Sequence, residues 1–161
     1  MRENKGEQMA NHQAEFKERY SNPIAEPKSE EFYRGRGYTY FRYGVDSNDI
    51  IPKKDFLVLP ETVQKTPDYV LITTKPYFVE VKGCKDYLRL KLRDLIIYQF
   101  WNGIPGMKLL FFIYSTKYND FKQILFHNMM ALIDSGDYEI KRYHDNNKEY
   151  YEIPVGDVWK S

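Results

Sequence analysis

One cysteine, Cys84, stands in a chain of 161 residues. A lone thiol excludes an intrachain disulfide and a four-thiolate zinc site, and it points to a reducing, intracellular and so cytoplasmic setting. Long apolar runs are missing too. The longest, "LLFFIY" at 109–114, has strand length and falls well short of the roughly eighteen residues of a membrane span. Residues 1–20 are polar and mixed in charge, unlike a secretory signal. Neither GxxxxGK nor GxGxxG occurs, so no nucleotide cofactor is expected. His12, His127 and His144 are scattered, which gives a histidine metal centre little support. Charge of one sign is not in excess either: 24 basic residues face 23 acidic ones, for a net +1. Any reading as a polyanion binder must therefore rest on how the charges are distributed.

What is abundant is aromatic. Hydrophobic residues make up 42% and aromatics 17%, with fifteen tyrosines, enough for one domain with a sizeable core. Residues 1–28 are expected as a mobile or loosely packed N-terminal arm, ended by Pro23 and Pro27, and 29–161 as a single domain. "SEEFYRG" suits a short helix capped by Ser29. "DYVLITT" and "YFVEVKG" read as a hairpin turning at "KP", with Pro76 in the turn. "DYLRLKLRDLIIYQFWNG" reads as a helix, with Leu88, Leu92, Leu95, Ile96 and Gln99 at helical spacing. "MKLLFFIYS" suits a buried strand, and "NDFKQILFHNMMALIDSG" a second helix. "DYEIKRYH" and "EYYEIPV" suit a last hairpin. The order implies an α/β fold with a mixed central sheet flanked by helices.

Three charged residues sit where a strand core should be apolar. Glu80 and Lys82 are two apart in a strand and leave the same face, while Val79 and Val81 point the other way. Asp68 begins the preceding strand. Asp68 and Glu80 lie equally far from the turn, so an antiparallel hairpin brings them together. Two adjacent carboxylates repel unless something positive lies between them. A divalent cation with oxygen ligands does this, magnesium or manganese by preference. The Val81 carbonyl is a further candidate ligand, and Lys82 can hold an attacking water or offset charge on a phosphate. The plainer alternative is a surface ion pair of Glu80 and Lys82 with Asp68 capping a turn.

Pro67-Asp68, eleven residues, then Glu80-Val81-Lys82 resembles the PD-(D/E)xK nuclease superfamily. The resemblance spans roughly residues 29–116, including the glycine and helix after the motif. It implies a restriction-endonuclease-like core and a Mg2+-dependent endodeoxyribonuclease, with Mn2+ able to substitute, that hydrolyses DNA by a magnesium-activated water. Junction-resolvase and phage-type branches fall within it. By the same resemblance, a helix before the strands supplies one more acid to the catalytic and metal site, Glu31 first, then Glu30 and Glu26. Some exonuclease branches carry a Gln and a Tyr four apart on the following helix; here Gln99 is followed by Gly103, which weighs against them. Action on RNA, or an inactive nuclease-fold module that only binds nucleic acid or regulates, are the alternatives.

Residues 82–93 hold five basic residues and one acid. On a helix Lys85, Arg89 and Arg93 share one face and are expected to contact DNA. Arg34, Arg36 and Arg42, interleaved with Tyr33, Tyr38, Tyr40 and Tyr43, form a second expected contact, the tyrosines serving either as stacking platforms or as core. One site per chain cuts both strands only as a homodimer or in two visits. The arm and the tail "EYYEIPVGDVW" are the surfaces available for such a dimer.

Overall fold

The computed structural model describes residues 23–44 and 51–161; the first twenty-two residues of the expected arm lie outside them. A helix covers residues 23–35 (α1). It runs through Pro27 instead of ending there, and Ala25 and Tyr33 on it are fully buried. Residues 23–28 thus pack against the domain as helix and are not a loose arm. Ser29 is also buried, four residues from each, and its hydroxyl donates to the Glu26 carbonyl at 2.7 Å. It bonds back within the helix and caps nothing.

Thr39–Arg42 (β1) follows, then two single-turn helices, Lys53–Phe56 (α2) and Glu61–Gln64 (α3), each entered through a proline. Tyr69–Ile72 (β2) and Pro76–Cys84 (β3) form the expected hairpin, with Tyr69 opposite Val79 and Ile72 opposite Pro76. The turn is therefore Thr73-Thr74-Lys75, and Pro76 opens β3 rather than sitting in the turn. Its missing N–H is tolerated at a strand's first residue.

The next elements depart from the helix expected over 86–103. Tyr87–Lys91 is a strand (β4), and only Leu92–Asn102 is helical (α4). Leu88 and Leu90 are both buried, so period 2 overrides the helical spacing that Leu88 and Leu92 also satisfy. On α4 the buried residues are Asp94, Leu95, Ile97 and Tyr98, whereas Ile96 is 71% exposed. The same correction applies further on. Lys108–Ser115 (β5) is the expected buried strand, but Asp120–Leu125 (β6) is its antiparallel partner, and helix begins only at Phe126–Gly136 (α5). Phe121 in β6 stacks on Phe112 in β5, ring centres 4.7 Å apart. Ile140–Arg142 (β7) and Glu149–Pro154 (β8) form the expected last hairpin, and Val155–Lys160 (α6) ends the chain.

Five strands make a mixed sheet in the order β1-β2-β3-β5-β6, with β3 and β5 parallel and the other pairs antiparallel. The crossover between the parallel strands carries β4 and α4. A second sheet has the order β4-β8-β7. Alternation along β3 divides the core in two. Val79 and Val81 pack with Tyr33, Tyr69 and Phe112 under α1. Phe78 packs with Tyr98, Leu109 and Phe111, together with Ile153, Val155 and Val158 of the tail. The tail expected as a dimer surface thus buries Tyr150, Ile153, Val155 and Val158 in its own chain and leaves its other residues half-buried. No described helix is long and apolar enough to cross a membrane.

Candidate active site

The hairpin register carries Asp68 to Glu80. Tyr69 faces Val79, so the next antiparallel position outward pairs 68 with 80. There β2 ends while β3 continues against β5 as far as Cys84, which leaves one flank of β3 without a strand beyond Val79 among the described residues. Asp68 fills the first gap on that flank: its Oδ2 accepts the Val81 N–H at 2.7 Å. In an extended strand the N–H and C=O of one residue point to the same side, so the Val81 carbonyl is directed to the same open flank. Gly44 is tucked behind. Its N–H and that of Tyr43 both donate to the Asp68 carbonyl, at 3.2 and 2.9 Å. A Cβ at position 44 would lie 3.2 Å from the Pro67 carbonyl oxygen and 3.3 Å from the Asp68 Cα, so glycine permits this close approach of chain to chain.

Glu80 is buried, 8% exposed. Its Oε1 accepts from Lys82 Nζ at 2.8 Å and from Tyr98 Oη at 2.7 Å. Both donors use the same oxygen, which leaves Glu80 Oε2 and Asp68 Oδ1 without a hydrogen bond among the described residues. Neither is a sealed atom: the only described side-chain polar atom both buried and unpartnered is Tyr33 Oη. The two free oxygens therefore look onto the small cavity of about 120 Å³ that Asp68, Glu80, Lys82, Arg42, Lys65 and Tyr98 help to line.

The electrostatics match this geometry. Burial, and then the Glu80 charge, hold the Asp68 carboxyl well above the usual carboxylate range, against the pull of the Val81 N–H and Lys82. Burial opposes charge on Lys82, but Glu80 beside it outweighs that, and the ammonium is held above its ordinary value. Burial and Glu80 push the Tyr98 phenol up, so Tyr98 remains a proton donor to Glu80. Two carboxylates thus have one ammonium in direct contact and two open oxygens, with Arg42 and Lys65 further along the cavity lining.

Among the described residues no group of three or more His, Cys, Asp or Glu side chains forms a metal cluster. Asp68 Oδ1, Glu80 Oε2 and the Val81 carbonyl are the protein oxygens available. That set suits magnesium, which usually keeps several waters and is held by one or two carboxylates plus substrate phosphate oxygens. Burial pushes the Cys84 thiol up to about 12, which disfavours the thiolate.

The structure separates the other expected site residues. Glu31 is turned away; its side chain is 70% exposed, pairs with Lys28 at 3.4 Å, and lines a different groove. The stripe of α1 that meets the sheet is Ala25, Ser29 and Tyr33, which leaves Glu31 on the outer side. Glu30 accepts from Tyr69 Oη at 2.7 Å. Glu26 is the α1 acid whose charge reaches Asp68, and it pairs with Arg42 at 2.9 Å. Of the expected DNA contacts, only Arg42 lines the cavity. Lys85, Arg89 and Arg93 do not share a helix face, because the strand β4 intervenes. Arg89 lies in β4 against Glu152 at 2.9 Å, and Arg93 is in the first turn of α4, paired with Glu61. Arg34 pairs with Glu30 at 3.8 Å. Arg36 lies over the Phe32 ring, 5.5 Å from its centre, beside the groove that Glu31 lines. Tyr33, Tyr38 and Tyr40 pack in the core under α1; Tyr43, 40% exposed, lies against Phe78 and Trp101.

Residues that sequence reasoning missed complete the cavity wall. Asp94 and Tyr98 are four apart on α4, on the face toward Glu80, and Lys65 pairs with Asp94 at 3.3 Å. The Gln–Tyr spacing sought at Gln99 and Gly103 is thus occupied five residues earlier by an acid and a tyrosine. An i, i+4 polar pair on the helix after the motif was the available signal.

No family model matches the chain, and no curated protein does. Solved structures similar in fold include the following two. One is a nuclease from a fusselovirus, 12% identical with a TM-score of 0.48, over 83% of this chain and 79% of that one. The other is Hjc, a Holliday junction resolvase of the archaeal hyperthermophile Archaeoglobus fulgidus, 12% identical with a TM-score of 0.49, over 84% of this chain and 89% of that one. At such scores neither carries an argument about this chain's chemistry, which rests on its own residues.

Proposed function

We propose that the chain is a magnesium-dependent endonuclease that hydrolyses phosphodiester bonds of DNA at the Asp68–Glu80–Lys82 site. The observation that carries this reading is the pair of open carboxylate oxygens, Asp68 Oδ1 and Glu80 Oε2, with the Lys82 ammonium on the same strand face. Magnesium, when bound, supplies positive charge to the scissile phosphate and lowers the pKa of a water. Asp68, Glu80 and the Val81 carbonyl would hold it, with manganese able to substitute.

The chain's own groups do the rest. Tyr98 and Lys82 fix the Glu80 carboxylate through one oxygen and so aim the other at the cavity. The Val81 N–H does the same for Asp68. Lys82, held cationic by Glu80, stands ready to orient a water or to offset charge growing on the phosphate, an interaction worth most in the transition state. Arg42 and Lys65 add positive charge at the cavity rim.

The test is incubation of the purified chain with linear, nicked, branched and single-stranded DNA and with RNA, in magnesium and in chelator. Magnesium-dependent cleavage of DNA is the expected result. Cleavage of RNA alone would move the substrate, and no metal-dependent cleavage of any of these would overturn the proposal. Cutting both strands at once would need a homodimer. Sedimentation, followed by a time course on supercoiled plasmid, separates concerted linearisation by a dimer from nicking by a monomer.

A further inference from the structure

Beside the site lies a larger groove, about 450 Å³, that shares Gln64, Lys65 and Asp94 with the small cavity. We propose that this groove, and not the arginines of α1 or β4, seats the polynucleotide backbone flanking the cleaved bond; the proposal rests on the nuclease reading of the site. The small cavity, about 120 Å³, has no length for a strand, so substrate must continue across its rim. The rim shared with the groove is Lys65 and Asp94. Past it, three separate elements each bring a cation: Lys91 from the end of β4, Arg93 from the first turn of α4, and Lys148 from the turn before β8.

With Lys65 these make four cations against two carboxylates, Glu61 and Asp94, in the groove wall. Those acids are engaged by Arg93 and Lys65. Among the described residues, Lys91 and Lys148 have no carboxylate partner, so their charge is available to a polyanion. Lys91 is held in place over the Tyr143 ring, 5.4 Å from its centre. Phe56, the last residue of α2, and Leu59 just after it add apolar lining to the groove. A groove lined by cations and by a half-buried aromatic ring fits a nucleic acid, with phosphates on the lysines and bases toward Phe56. By contrast Arg89, only 19% exposed at its side chain, is already bonded to Glu152.

The experiment measures binding of short fluorescent single-stranded and duplex DNA to the full chain in chelator across a salt series. Three proteins are compared: the wild type, Lys91→Gln/Lys148→Gln, and an α1 variant, Arg34→Gln/Arg36→Gln, at the helix's last turn and the residue just after it. Thermal melting confirms that each is folded. The groove variant should bind about 10-fold more weakly or worse at low salt, with the log–log salt slope reduced by about two, near 0.9 per lost phosphate contact. The α1 variant should change affinity less than about 2-fold. Equal affinity and slope for the groove variant and the wild type would overturn the proposal, as would an equal loss in the α1 variant. Equally tight, groove-dependent binding of polyglutamate would overturn the nucleic-acid assignment. The two readings fail separately. Groove-dependent binding without cleavage in magnesium sinks the nuclease and supports the groove. Cleavage with groove-independent binding sinks the groove alone.

Discussion

Two sites in this molecule hold carboxylates away from bulk water, one in each sheet, and they are balanced in opposite ways. In the second sheet, Glu152 is flanked by two cations, Arg89 at 2.9 Å and Lys141 at 2.8 Å. Burial alone would raise its pKa, but those hydrogen bonds win and hold it below the usual range. In the central sheet, two carboxylates share one ammonium, and Asp68 is pushed well above the usual range by burial and by Glu80. The first cluster is complete as it stands. The second has two oxygens open to a cavity. Burial and charge are common to both, so neither marks a functional site. What separates them is the pair of open oxygens, which the proposed cation would occupy.

The contrast is broken most sharply by Glu80→Gln, which keeps shape and removes charge. Turnover should fall on the order of 10³-fold or more, with no loss of melting temperature. Lys82→Ala should come next, lowering kcat about 10²-fold while DNA affinity changes little. Steady-state cleavage set beside binding in chelator reads both, and equal losses would reassign Lys82 to simple phosphate binding.

Stability should respond in the opposite sense at the two clusters. Glu152→Gln is expected to cost about 1.5–3 kcal/mol, the usual worth of hydrogen bonds to a charged group, without changing the rate of cleavage. The pH profiles then diverge in sign. The lowered Glu152 pKa means that its contribution is present above the usual carboxylate range and lost as pH falls through its folded value. Glu152→Gln should therefore flatten the acid limb of stability against pH. The raised Asp68 pKa works the other way: stability declines as pH rises out of the carboxylate range, because the folded chain holds that proton longer. Asp68→Asn should then raise the melting temperature at neutral pH by about 2–4 °C, the shift given by roughly 1 kcal/mol in a chain of this size. Unfolding followed by circular dichroism over pH checks both, and parallel profiles for the two variants would erase the distinction. The smallest expected effect is Tyr98→Phe. It leaves Lys82 on Glu80 and should slow cleavage about 10-fold, roughly what one hydrogen bond to a charged group is worth.

The site was legible in the sequence where it depended on local rules. Asp68 and Glu80 are symmetric about the turn, so an antiparallel hairpin had to bring them together, and strand alternation had to put Lys82 beside Glu80. What was not legible depended on choosing between two periodicities. Leu88, Leu90 and Leu92 fit a strand, while Leu88 and Leu92 also fit a helix; only pairing with β8, sixty residues on, decides it. The same ambiguity hid β6, whose Phe121 and Leu125 satisfy helical spacing. Once α4 was started too early, its inward face was misplaced, and Asp94 and Tyr98 were overlooked in favour of Ile96 and Gln99. Glu31 failed for a related reason. The phase of α1 is fixed by Ala25, which lies before Pro27, and a helix begun at Ser29 gives no phase.

The central claim is that the Asp68–Glu80 pair is incomplete without a divalent cation, and calorimetric titration with Mn2+ addresses it most directly. Wild type, Glu80→Gln and Glu152→Gln are titrated at neutral pH, each checked by thermal melting with and without the ion, since a ligand of the native state raises its melting temperature. The account predicts saturable binding and a raised melting temperature for the wild type and for Glu152→Gln, and loss of both for Glu80→Gln. No binding to the wild type, or binding that survives Glu80→Gln unchanged, would contradict it.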